Sequence, residues 1–166
     1  MASGDTLAIF TPLMNEPTAS NYATLDLRNY HPVLDFDGAT DEEALFTGIL
    51  PRNYAGGGLT VYLHVGFTSA TSGNAYWQAA IERMDDGTLD LDADSFASFN
   101  GAAGNPNATS GVMTLVTITF TSGAQMDSLA AGEMFRLKIR RDADGTAGTD
   151  DVATDAELFG VEIKET

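Results

Sequence analysis

Leu50–Phe67 reads LPRNYAGGGLTVYLHVGF. A proline and three consecutive glycines deliver the chain into a segment of strict alternation. Leu59, Val61, Leu63, Val65 and Phe67 point one way, and Thr60, Tyr62, His64 and Gly66 the other. A period of two is the signature of a half-buried antiparallel strand, here entered through a glycine loop.

The same grammar recurs on both sides of this stretch. Strands are predicted at Thr6–Phe10, Asn21–Leu27, Pro32–Phe36, Glu43–Leu50, Ala75–Met84, Val112–Phe120, Glu133–Arg141 and Glu157–Ile163. Trp77, Ala79 and Ile81 share an inner face, as do Phe135, Leu137 and Ile139, and Phe159, Val161 and Ile163. Turn-rich segments separate them at Thr68–Gly73, Asp85–Gly87, Asn100–Gly111 and Asp142–Asp151. Two short helical turns are expected, at Asp92–Phe99 and at Met126–Ala131 before Gly132. Eight or nine strands with little helix predict an all-β, antiparallel β-sandwich of jelly-roll type. An immunoglobulin-like sandwich is the alternative, without its Cys–Trp–Cys marker.

The 166 residues suit a single domain over residues 1–166, with residues 1–21 either its first strand or an N-terminal arm. Lys and Arg total 8 against 24 Asp and Glu, a formal net charge of −16. Such a surface repels phosphate, so nucleic acid and anionic lipid are not expected partners. No stretch approaches the roughly 20 apolar residues of a membrane span. MASGDTLAIF has neither the basic start nor the long apolar run of a secretory signal. With no cysteine there is no disulfide and no thiolate metal site.

Chemistry is thinly marked. His31 and His64 are the two histidines, and neither sits in a metal-ligand spacing. No Gly-x-Ser-x-Gly elbow is present, and Gly56–Gly58 lacks the helix and Lys-Ser/Thr of a phosphate cradle. Asp85–Asp94 (DDGTLDLDAD) has calcium-like alternation, yet counted from Asp90 the glycine and glutamate of an EF-hand loop are missing. If a cation binds, Asp90, Asp92 and Asp94 are the expected ligands; Asp142–Gly145 and Asp150–Asp151 form a weaker cluster. No other cofactor is expected. Tyr54, Tyr62, Tyr76 and Trp77 are candidates for a sugar platform, with Trp77 better placed in the core. Five of the eight basic residues follow Phe135, and Arg136, Lys138 and Arg140 share the outward face of one strand. They form either a solvated face opposite acids such as Glu157 or Glu162, or a subunit contact.

Five segments together resemble a known group: NYATLDL (Asn21–Leu27), RNYHPVLDFD (Arg28–Asp37), LPRNYAGGGLTVYL (Leu50–Leu63), IERMDDGTLDLDADSF (Ile81–Phe96) and DSLAAGEMFRLKIRRD (Asp127–Asp142). They are similar to small single-domain proteins of tailed bacteriophages and prophages, encoded among structural genes. The resemblance implies a jelly-roll virion component, commonly trimeric. Its role would be capsid decoration (a cement protein bound to the major capsid protein) or the head of a fibre. The expected location is the virion surface, after assembly in the bacterial host cytoplasm. The resemblance carries no functional residues. Non-enzymatic capsid stabilisation is the first expectation. Host-glycan recognition by a receptor-binding or fibre-tip module is the second, and a small β-sandwich hydrolase a remote third. Tyr62, His64, Arg136, Lys138 and Arg140 are the expected contact residues.

Overall fold

A computed structural model describes residues 4–166; Met1–Ser3, at the start of the segment read for a secretory signal, lie outside the described residues. Ten strands form: β1 (Thr6–Phe10), β2 (Thr24–Arg28), β3 (His31–Phe36), β4 (Glu42–Ile49), β5 (Leu59–Phe67), β6 (Tyr76–Met84), β7 (Asn100–Ala103), β8 (Thr114–Phe120), β9 (Met134–Arg141) and β10 (Ala156–Glu165). Among the described residues, helix is limited to two short 3-10 turns, Pro12–Met14 and Ala124–Met126. The segment Asp92–Phe99 is not helical, and the second turn begins two residues before its expected start.

The strands make two antiparallel sheets. The larger runs β2-β3-β10-β5-β8, with β1 also paired to β10; the smaller runs β4-β9-β6-β7. From β3 onward the order β3-β10-β5-β8 facing β4-β9-β6-β7 is the double Greek key of a jelly roll. β10 serves two partners along one edge. Ala156–Leu158 pair with β3 and Val161–Lys164 pair with β1, with a register break between Leu158 and Gly160.

That break corrects one inward assignment. Alternation carried straight along β10 puts Phe159 inside with Val161 and Ile163. The bulge adds a residue, so Leu158 and Val161 both face the core while Phe159 turns outward. Other boundaries moved less. β2 begins at Thr24, because Asn21 takes φ +51 and Tyr22 makes only an isolated bridge to Glu43. Val112 lies outside β8 and is exposed.

One apolar cluster fills the space between the sheets. Phe10 stacks on Phe46 at 5.3 Å between ring centroids and meets Phe135 edge-on at 6.3 Å. Phe36 meets Trp77 edge-on at 5.1 Å, and Trp77 is fully buried, as its alternation predicts. The Leu50–Phe67 corner works through backbone demands. Gly56 takes φ +94, and a Cβ on Gly58 would lie 2.4 Å from the Phe120 carbonyl oxygen. Tyr54 tucks beneath the run, its hydroxyl donating to the Gly57 carbonyl.

A fully buried charge anchors the segment between β9 and β10. Arg141, 0% exposed, faces inward at the end of β9. It forms a two-pronged ion pair with Asp150, Nε to Oδ2 at 3.0 Å and Nη2 to Oδ1 at 2.9 Å. Its remaining N–H groups donate to the carbonyls of Asp37, Val152 and Thr154. The planar guanidinium fork suits this arrangement, since it reaches a carboxylate and several carbonyls in one plane.

Candidate functional site

The outer face of the larger sheet carries the candidate site. Cross-strand register sets its layout: His64 lies opposite Leu115 on β8 and Gly160 on β10, and one step along, Tyr62 lies opposite Thr117 and Glu162. Phe159, turned out by the bulge, rests on Gly66, where a Cβ would come within 3.0 Å of its ring. Around it opens a groove of about 460 Å³, lined by Pro12, Leu13, His31, His64, Met113 and Phe159 among others. A second hollow of about 360 Å³ shares His31, Met113 and Phe159 and continues to Arg28, Asn29 and Gly111. The two histidines, 33 positions apart in the chain, therefore flank one surface. Of its lining, Leu13 and Met113 are exposed apolar side chains, and the exposed Leu115 lies opposite His64 on the neighbouring strand.

The β2–β3 hairpin forms one wall. Arg28 and His31 close it, and the two residues between, Asn29 and Tyr30, have φ +46 and +66, the positive values of a type I′ turn. Asn is at home there. A bulky tyrosine is an outlier. Tyr30 is nonetheless 91% exposed at the hairpin tip, so no packing compensates the strain. His31 Nδ1–H donates to the Arg28 carbonyl at 3.2 Å, which fixes its tautomer. Arg28 pairs with Glu157 and donates to the Phe67 carbonyl at 2.7 Å.

Among the described residues, neither imidazole is hydrogen-bonded to a carboxylate or hydroxyl, so no pair of histidine with a hydroxyl nucleophile is formed in the groove. Beside the groove, the Asp35 carboxyl is pushed up to about 6, chiefly by burial and then by the charges of Asp155, Glu157, Asp26 and Glu42. Asp35 lines neither hollow.

The remaining expected site residues are placed as follows. Tyr62 and His64 are half-buried on the grooved face. Arg136, Lys138 and Arg140 do share an outward face, but on the smaller sheet, away from the groove. Their acidic neighbours are not Glu157 or Glu162, which lie on β10 in the other sheet. Arg136 pairs with Glu82, Lys138 with Glu43 at 3.1 Å, and Arg140 with Asp41 at 3.7 Å. Arg140 also makes two hydrogen bonds to Gln78 Oε1, at 2.9 and 2.6 Å. The segment after β6 folds over this row. Phe96 covers Arg136 and Lys138, and Phe99 covers Arg140 at 4.3 Å. The three cations are thus matched within the chain.

Asp90, Asp92 and Asp94 do not converge as a ligand set. Asp90 Oδ1 accepts from the Asp92 amide and Asp94 Oδ1 from the Ser95 amide. Among the described residues, the carboxylates within 4.8 Å of one another are Asp41, Asp142 and Asp144. Asp142 is engaged by Thr146 and the Ala147 and Gly148 amides, Asp144 by the Thr146 amide, and Asp41 by the Asp144 amide and Arg140. The cluster is accounted for as loop structure. Of the four ring candidates, Tyr54 and Trp77 are buried, and Tyr76 packs flat against Gly101 and Gly148. Tyr62 alone remains beside the groove.

No protein-family model and no curated protein matches this chain. Solved structures do. A family 35 carbohydrate binding module from an environmental isolate is 10% identical, covers 96% of this chain and 94% of that chain, and gives a TM-score of 0.53. The xylan-binding domain of a Paenibacillus barcinonensis protein is 12% identical, covers 92% of each chain, and also gives 0.53. A chain of the infectious bursal disease virus Gx strain is a weaker likeness: 12% identity, 99% of this chain, 33% of that one, TM-score 0.37. At such identities the likeness to the two modules shows a shared β-sandwich fold.

Proposed function

We propose that the chain is a non-enzymatic virion structural protein of a tailed bacteriophage. In this reading it decorates the outer capsid surface as a homotrimer and docks through the grooved face of its larger sheet. One observation carries the reading: a largely apolar groove, lined by Pro12, Leu13, Met113 and Phe159, interrupts a chain of net charge −16. An exposed apolar patch on a charged protein marks a protein contact. Tyr62 and His64 belong to the contact; Arg136, Lys138 and Arg140, neutralised on the opposite face, do not carry it. A rigid sandwich bound in many copies stabilises a shell by mass action and avidity.

Purified particles test this directly. The protein should occur at capsomer junctions in hundreds of copies, by the logic of avidity over a whole shell. Stripping it should lower resistance to heat, and Phe159→Ser protein should fail to rebind while Arg136→Ala protein rebinds. Location at the tail tip alone would refute the reading.

A second reading, a glycan-binding module, is favoured by the sandwich shared with two carbohydrate-binding modules and by Tyr62 and His64 standing side by side on the grooved face. Reproducible glycan-array hits that vanish in Tyr62→Ala would support it, and a blank array would end it.

A further inference from the structure

We propose that the seam between β3 and β10 is a proton-operated latch: as pH falls, the Asp35 carboxylate takes up a proton and locks the β2–β3 hairpin, the wall of the groove, onto the sandwich. The geometry comes from the register. Asp35 is the direct cross-strand neighbour of Glu157 on β10 and of Thr24 on β2. Like charges directly opposite one another destabilise an antiparallel pair. Here the mismatch is worse, because Asp35 Oδ1 is shielded from water and has no hydrogen-bond partner.

Every element packed around this carboxylate adds to the problem. β2 contributes Asp26 and Arg28, β4 contributes Glu42, β10 contributes Glu157, and Asp155 sits just before β10. Arg28 is the one cation in this group, and it is already paired with Glu157 and the Phe67 carbonyl. Burial and these acids together raise the Asp35 carboxyl from 3.8 to about 6. A neutral Asp35 removes one charge from the cluster and gains an O–H to share with Glu157 across the pair.

The sign follows from linkage. The folded pKa lies above the unfolded one, so the folded hairpin holds more protons between roughly 4 and 6, and stability falls as pH rises through that window. Going from about pH 7.5 to about pH 5, Asp35 alone should favour the docked hairpin by about tenfold. Because the hairpin tip, Arg28–His31, lines the groove, docking there should tighten as the latch closes. That last consequence rests on the proposed docking face. The latch itself does not.

The experiment separates the two. Amide hydrogen exchange of β2 and β3, corrected for intrinsic rates, is followed across this pH range in wild-type protein, Asp35→Asn and Asp26→Asn, alongside an NMR titration of the Asp35 carboxyl. Expected are slower exchange at the lower pH in wild type, a flattened profile in Asp35→Asn, and a lowered Asp35 midpoint in Asp26→Asn. His31 and His64 remain in both variants, so the difference from wild type isolates the aspartates. A midpoint near the ordinary aspartate value, or a wild-type profile retained in Asp35→Asn, overturns the latch. Asp26 is exposed, so its variant keeps the test decisive if Asp35→Asn fails to fold. A working latch with no change in particle binding would overturn only the docking face.

Discussion

Replacing Asp150 with alanine leaves the fully buried Arg141 guanidinium without its carboxylate partner. Breaking a buried ion pair from one side costs about 3–5 kcal/mol, because the remaining charge cannot return to water. Asp150 also accepts from the backbone amides of Tyr76 and Val152, at 3.2 and 3.3 Å. Those lost acceptors bring the cost to roughly 4–6 kcal/mol. For a chain of this length each kcal/mol moves Tm by about 2–4 °C, so a fall of roughly 10–20 °C is expected by calorimetry. Urea denaturation should show a lower midpoint with little change in slope. Arg141→Met should be comparably harmful, since it strands Asp150 and three carbonyls. The double variant should be less damaged than the sum of the two by up to about 3 kcal/mol. A loss for Asp150→Ala below about 1 kcal/mol, the worth of a surface pair, would refute the claim that this ion pair anchors the segment between β9 and β10.

Further outcomes follow from single sites. Gly58→Ala should cost about 1–3 kcal/mol in a thermal melt, because its Cβ collides with the Phe120 carbonyl and backbone has little room to yield. Tyr30→Gly should raise stability by about 1 kcal/mol on relief of the positive φ, and should weaken particle binding if the exposed ring is retained for contact. Phe96→Ala should cost about 1–2 kcal/mol and make stability more sensitive to salt, because two cations lose their ring cover. Calcium should shift the melting temperature of Asp92→Ala and wild-type protein equally, since the Asp90, Asp92 and Asp94 carboxylates do not converge; a shift seen in wild type alone would overturn this.

The architecture was largely legible in the sequence because alternation is a direct imprint of a two-faced sheet. Thr6–Phe10 and Leu59–Phe67 match their strands residue for residue, and the inner faces of β6 and β9 were readable from Trp77, Ile81, Phe135 and Leu137. β7 was not, for NGAA has no strand propensity. It is a strand because Gly101 lets the chain lie against the Tyr76 ring on the neighbouring strand. The cation row was readable as an outward face, but not its partners, since sequence does not say which strands flank β9. The groove was the least legible feature. His31 and His64 become neighbours only through the order β3-β10-β5, and Phe159 joins them only because one unpaired residue reverses the parity of β10.

That unpaired residue means β10 is written in two reading frames. Upstream of Gly160 one set of alternate positions feeds the core, and downstream the other set does. A single-codon deletion there would bring the halves into one frame. Loss of Phe159, which has no partner on β5, would leave Leu158 opposite Val65 and Gly160 opposite His64, so Ala156, Leu158, Val161 and Ile163 would all keep facing the core while the groove loses its ring. A one-residue deletion should therefore be tolerated at this position, whereas one elsewhere in β10 should turn the residues between the cut and the bulge to the opposite face. A library of one-residue deletions scanned along Ala156–Glu165 would read that grammar directly.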